Sequence, residues 1–167
     1  GSARVKGTYG SALSTFTKHT REGYKLDGYY TDASDGTKII NADGTLVASV
    51  SGYTDASSKW ARDNTTGITL YAHWLKTTVT GTMTPNPAIA NTTTLFTFNI
   101  EFSNWVSGQR YIIINPEGGF LTGPTAISSN TVKWTSGGLS YNAGSYTFKL
   151  RVCNATTTDA ITDDYSI

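Results

Sequence analysis

Between Leu95 and Phe102 the chain alternates strictly. Phe96, Phe98, Ile100 and Phe102 take one parity, and Leu95, Thr97, Asn99 and Glu101 the other. In an extended strand successive side chains point to opposite faces, so four large apolar groups line one side. A face carrying three phenyl rings has to meet a second apolar layer. The segment therefore requires a sheet packed against something equally apolar.

The second half of the chain repeats this style. Val79–Met83 reads as an edge strand closed by Pro85 and Pro87, and Arg110–Asn115 as an apolar strand ending at Pro116, with Glu117-Gly118-Gly119 as a turn. Thr131–Thr135 sets Val132 and Trp134 opposite Lys133. Tyr146, Phe148, Leu150 and Val152 share one parity, with Lys149 and Arg151 on the other. A last strand falls within Ala160–Ile167. Short strands at regular spacing with turn signals between them are the pattern of a sandwich.

Composition agrees with a mostly β chain. Threonine makes up roughly one residue in six, with tyrosine and glycine plentiful. Threonine and tyrosine favour strands, and glycine favours turns. Charged residues are 15% of the chain, against about a quarter in ordinary soluble domains. The net charge of +1 and the lack of a basic stripe leave nucleic-acid binding without an electrostatic footprint. One cysteine, Cys153, excludes an internal disulfide. No apolar run reaches the ~18 residues needed to cross a membrane, so no membrane insertion is expected of this segment. Gly1-Ser2 reads as the remnant of a tag, and no signal peptide is visible, so the segment is expected to come from a longer protein.

The first part is organised by turns. Tyr24–Tyr30 reads as a strand interrupted by Gly28. Thr31–Gly36 and Asn41-Ala42-Asp43-Gly44 are turn signals, flanking a short strand at Thr37–Ile40. Leu46–Val50 suits a strand or a single helical turn. Asp55 can cap a short helix that places Trp60 inward. Ile68, Leu70, Ala72 and Trp74 alternate with Thr69, Tyr71 and His73, which predicts a strand with one buried face. Tyr24, Leu26, Leu70 and Trp74 are the expected core. Leu75–Thr78 is a junction with no Pro or Gly, dividing the chain into domains over 1–76 and 77–167.

Two motifs and a lead-in carry a family resemblance. Thr20-Arg21-Glu22-Gly23-Tyr24-Lys25-Leu26-Asp27-Gly28-Tyr29-Tyr30 and Thr69-Leu70-Tyr71-Ala72-His73-Trp74 stand in order, after Thr8-Tyr9-Gly10-Ser11-Ala12-Leu13. Residues 8–76 resemble the Listeria–Bacteroides repeat, an internalin B-repeat-like module strung along bacterial surface proteins. Its pattern has Phe where Leu26 stands and Trp where Tyr29 stands. The resemblance implies a small β-grasp-like sheet and an extracellular place, on a bacterial cell surface or secreted. In the second part, Asn142-Ala143-Gly144-Ser145-Tyr146 looks like a tyrosine corner with Asn for Asp, which implies an Ig-like β-sandwich. Phe148 stands where the second cysteine would be. An aromatic pair with Phe96 or Phe98 would replace the disulfide.

Candidate chemistry is sparse. His19 and His73 are the only histidines, and His73 is expected to be exposed in its strand. There is no G-x-S-x-G elbow, and Cys153 is expected to be an inert, partly covered thiol. No catalytic residue and no cofactor are assigned. Asp32, Asp35, Asp43, Asp55 and Asp63, and the group Asp159, Asp163 and Asp164, fit turn chemistry better than calcium, so no metal site is assigned. Aromatic residues are the better binding candidates: Trp105, Tyr30 and Tyr71 are the expected ligand contacts, with Trp105 the most exposed. The leading expectation is a non-enzymatic spacer or adhesion unit contacting a host or cell-surface protein or glycan. A carbohydrate-binding accessory pair and a non-catalytic piece of a larger surface enzyme are the alternatives.

Overall fold

The computed structural model describes residues 4–63, 66–153, 157–161 and 164–167. The chain is mostly β, and no helix occurs among the described residues. Its strands are β1 (Tyr24–Tyr30), β2 (Lys38–Asn41), β3 (Tyr71–Lys76), β4 (Thr78–Thr84), β5 (Thr94–Ser103), β6 (Arg110–Ile114), β7 (Thr125–Ala126), β8 (Thr131–Leu139), β9 (Lys149–Cys153) and β10 (Tyr165–Ser166). The chain divides into two compact units. One comprises the residues up to Arg21 with Lys25–Leu75, the other Glu22–Tyr24 with Lys76–Ile167.

The first unit holds a three-stranded sheet in the order β2-β1-β3. β1 and β2 run antiparallel, pairing Gly28 with Asn41 and Tyr29 with Ile40, and the register shifts between Tyr29 and Tyr30. β1 runs unbroken through Gly28, which is there for room. A Cβ at this position would lie 2.4 Å from the Ile40 carbonyl oxygen, inside contact distance. The turn Asn41–Gly44 closes with Gly44 N–H donating to the Asn41 carbonyl and Gly44 at φ +97°.

The interior of this unit differs from the expected one. Its fully buried residues are Tyr29, Ile39, Ile40 and Leu46. Tyr24, Leu26, Leu70 and Trp74 are only half-buried. Leu26 and Leu70 pack on the outside of the cluster. The buried cluster forms around β2 and Tyr29 of β1, so the alternation in β3 produces partial cover only. Ile39 and Ile40 are consecutive and both buried, so both faces of β2 are covered. Leu46 forms a single bridge to Ile40 in place of a longer strand or helical turn. The segment after Thr54 is also not a helix. Asp55 instead accepts from the backbone N–H groups of Ser57 and Lys59, and Thr54 bridges to Trp60.

In the second unit two antiparallel sheets, β4-β5-β8 and β10-β9-β6-β7, contribute to one apolar core. β5 lies in the middle of the first sheet, pairing Phe98 with Met83 on one side and Trp134 on the other. Phe96, Phe98, Ile100 and Phe102 are buried, while Leu95 is 60% exposed. From the second sheet come Tyr111 and Ile113 of β6, Leu150 and Val152 of β9, and Phe148 just before β9. Phe98 and Phe148 meet edge to face with ring centroids 5.3 Å apart, and Phe96 lies 5.8 Å from Phe148. The other face of β6 is buried too. There Ile112 and Ile114 cluster with Cys153, which accounts for the continuous apolar run of that strand.

Two details depart from the tyrosine-corner expectation. β9 begins at Lys149, so Tyr146 precedes the ladder and does not share the core face with Phe148. Tyr146 is 39% exposed, with its ring against Tyr141. At the far end, Ile167 exchanges backbone hydrogen bonds with Phe148, and its side chain lies over Gly81 of β4, where a Cβ would come within 2.9 Å.

Phe98→Ala removes a ring touching Phe148 and Trp134. It is expected to lower the stability of the second unit by about 3–5 kcal/mol. Leu95→Ala, one position away on the exposed face, is expected to change it by less than about 0.5 kcal/mol. Urea melts of the two variants check the contrast.

Candidate functional site

The expected contact residues fall in two places. Tyr30 and Tyr71 belong to the first unit and Trp105 to the second. Trp105 is half-buried against the second core, and its indole N–H donates to Asn130 Oδ1 at 2.8 Å. It is therefore not the most exposed aromatic. Tyr71 is 42% exposed.

Tyr30 sits in a polar cluster. Its ring stacks on the His73 imidazole with centroids 3.9 Å apart and planes 8° from parallel. Its hydroxyl donates to Asp27, which also accepts from Lys38 Nζ at 2.9 Å. Lys38 Nζ lies 5.3 Å from the Tyr30 ring centroid. The Tyr30 hydroxyl and, after it, the Lys38 ammonium hold the Asp27 carboxyl below the usual carboxylate range. Burial, and then the bond to Asp27, push the Tyr30 phenol up. His73 was expected to be exposed but is half-buried, with Nε2 2.8 Å from the Asp32 carbonyl oxygen. The strand pairing makes this cluster: Lys38 faces Tyr30 across β1 and β2. His19 has a comparable role, lying edge-on to Tyr29 with Nδ1 3.2 Å from its hydroxyl.

The aspartates hold turns together. Asp32 Oδ1 accepts from the Ser34 backbone and hydroxyl, and Asp43 Oδ1 from the Thr45 backbone and hydroxyl. Asp164 makes a two-pronged ion pair with Arg151, at 2.8 and 2.9 Å. Asp163 lies outside the described residues. No cluster of three or more metal-ligating side chains occurs among the described residues.

Cys153 is fully buried rather than partly covered. Burial pushes its thiol above the ordinary value. The residue is at the end of β9, where the Ala160 bridge and the outer face of β6 enclose it.

The sequence reading missed a groove in the second unit. It has a volume of about 360 Å³ and lies between the loop after β4 and the loop before β9, with Ile89, Tyr141 and Tyr146 among its walls. The only signal is the pair of tyrosines flanking Asn142–Ser145, of which Tyr146 belongs to the corner-like motif. Compared with models of protein families, with curated proteins and with solved structures, the chain matches none.

Two outcomes follow from this chemistry. Arg151 lowers the Asp164 pKa, so the pair's contribution is present above the unfolded carboxylate value near 3.8 and is lost as pH falls through the lower folded value. Asp164→Asn is expected to cost about 1 kcal/mol at pH 7 and to flatten the loss of stability below about pH 4. Chemical melts across pH 2–7 check the sign. Separately, the Cys153 thiol is expected to resist an aromatic disulfide reagent in the native protein and to react only at the rate of unfolding. Rapid labelling without denaturant would contradict its burial.

Proposed function

We propose that the chain is a non-enzymatic module pair of a bacterial cell-surface or secreted protein, acting as a spacer and weak contact unit. The observation that carries this reading is the junction. β3 ends at Lys76 and β4 begins at Thr78, leaving Thr77 alone between them. Thr77 is fully buried; its hydroxyl donates to Gln109 Oε1 at 3.0 Å and its carbonyl accepts from the Tyr165 hydroxyl at 2.7 Å. Both partners belong to the second unit, so the residue that follows β3 is already built into the sandwich and is not part of a separate linker.

The motifs at Thr20–Tyr30 and Thr69–Trp74 support the surface assignment, and the sandwich is read as Ig-like. Asp32, Asp43 and Asp55 close turns, Asp27 and Asp164 pair with cations, His73 stacks on Tyr30, and Cys153 is enclosed. These side chains hold structure together. In a string of such units, weak contacts gain avidity from repetition. A single pair is expected to bind its partner in the micromolar to millimolar range, and a chain of several copies at least tenfold more tightly.

NMR relaxation tests the spacer and a cell-binding assay the contact. The native chain is expected to show one rotational correlation time, and a long Gly-Ser insertion after Lys76 to split it into two. Independent tumbling of the native chain would overturn the spacer reading. Robust hydrolytic turnover abolished by His19→Ala or His73→Ala would overturn the non-enzymatic one.

A further inference from the structure

We propose that the groove at the loop end of the second unit binds a neutral saccharide, with Tyr146 as its stacking platform. The proposal rests on the reading of the chain as a contact unit and gives that unit a site.

The argument begins in the core. Phe148 is buried, and Tyr141 stands edge-on to it with centroids 5.9 Å apart. Tyr146 lies on Tyr141 at 4.7 Å. Burial falls along this series, from Phe148 through half-buried Tyr141 to Tyr146 at 39% exposure. The outermost ring lies against Tyr141 on one side, has Gly144 beside its hydroxyl edge, and leaves the exposed part of its surface to the groove. The apolar C–H face of a pyranose ring fits that position as a further layer. Ile89, 76% exposed, adds apolar surface to the groove wall.

The remaining lining selects the ligand's polarity. No charged side chain lines the groove. A charged ligand would lose hydration there without a counter-charge. Asn86, Asn142 and Ser145 line it and are exposed. Each amide offers donors and an acceptor, and the serine hydroxyl offers both roles. An apolar ligand would strip water from these groups and return no hydrogen bonds. A ligand with one apolar face and a rim of neutral hydroxyls matches both halves of the lining. The volume of about 360 Å³ is at the small-ligand end of binding sites, suited to a short glycan end.

The walls are held in place before any ligand arrives. The Asn91 backbone N–H donates to the Tyr141 carbonyl at 2.8 Å, joining the two loops. Pro85 and Pro87 fix two φ angles in the first of them. Little ordering then remains to oppose weak binding.

Titration of the full chain with cellobiose, maltose or N,N′-diacetylchitobiose, followed by amide NMR, tests the site. At least one is expected to give saturable shifts confined to Ala88–Asn91 and Tyr141–Tyr146, with a millimolar Kd. Tyr146→Ala is expected to weaken that binding at least tenfold and Tyr146→Phe to retain most of it. Unchanged amide shifts elsewhere establish that the alanine variant is folded. Absent shifts, shifts confined to other surfaces, or undiminished binding by the folded Tyr146→Ala chain would overturn the proposal. So would saturation only by glucuronic acid or by a polyproline peptide. A multi-copy chain carrying Tyr146→Ala that still adheres to cells removes this site and leaves the contact reading standing. A sugar-saturable groove in a chain without adhesion does the reverse.

Discussion

The second unit depends on the meeting of Phe98 with Phe148 across its two sheets. The chain has a single cysteine, so no covalent bond can join those layers. Apolar area has to do it. A buried aromatic ring removes about 150–250 Å² from water, at roughly 25 cal/mol per Å². Phe96, Phe98 and Phe148 together therefore contribute on the scale of a whole domain's net stability before the entropy of ordering is counted. The pair also has positional consequences. Phe98 sits at the centre of the middle strand β5, and Phe148 stands where the chain enters β9. Tyr141 and then Tyr146 build outward from Phe148, so the groove wall inherits its position from the core.

The first unit uses a different means. Its fully buried set is small, and local hydrogen bonds supply much of its definition. Asp32, Asp43 and Asp55 each turn a carboxylate oxygen toward backbone N–H groups two to four residues ahead. Such bonds satisfy donors that short irregular segments would otherwise leave to water. Turn aspartates and glycines thus take over part of the work that a larger interior would perform.

The sequence shows strongly what periodicity controls and weakly what neighbours control. The alternation of Phe96, Phe98, Ile100 and Phe102 is a property of the strand alone, and the buried face is the one it indicates. The strands β4, β6 and β9 were legible for the same reason, or from their flanking prolines. Trp74 was not, because its alternation marks a face without saying whether anything covers it. Asp55 fits a helix cap and an open turn equally well, since both place N–H groups near a carboxylate. His73 is governed by Tyr30, more than forty positions earlier, and no local pattern announces that stack. The groove was least legible of all. Tyr146 looks like a core strand residue until the start of β9 is known, and Ile89 joins it and Tyr141 only through the fold.

The seating of Ile167 has a consequence for how the chain is made. Its side chain fills the space over Gly81, and its backbone pairs with Phe148, so the unit's first strand and its last described residue meet. A polypeptide emerging in order therefore cannot complete the second unit until residue 167 is free, whereas the buried cluster around Tyr29, Ile40 and Leu46 comes from residues released much earlier. Until then β4, an outer strand rich in threonine, has only part of its covering, and the phenyl face of β5 lacks the β9 layer. That interval exposes apolar rings and an unpaired strand edge together, the combination most prone to wrong association. Vectorial delivery, as in synthesis or export, thus sets a natural order in which the small unit forms first and the sandwich closes last.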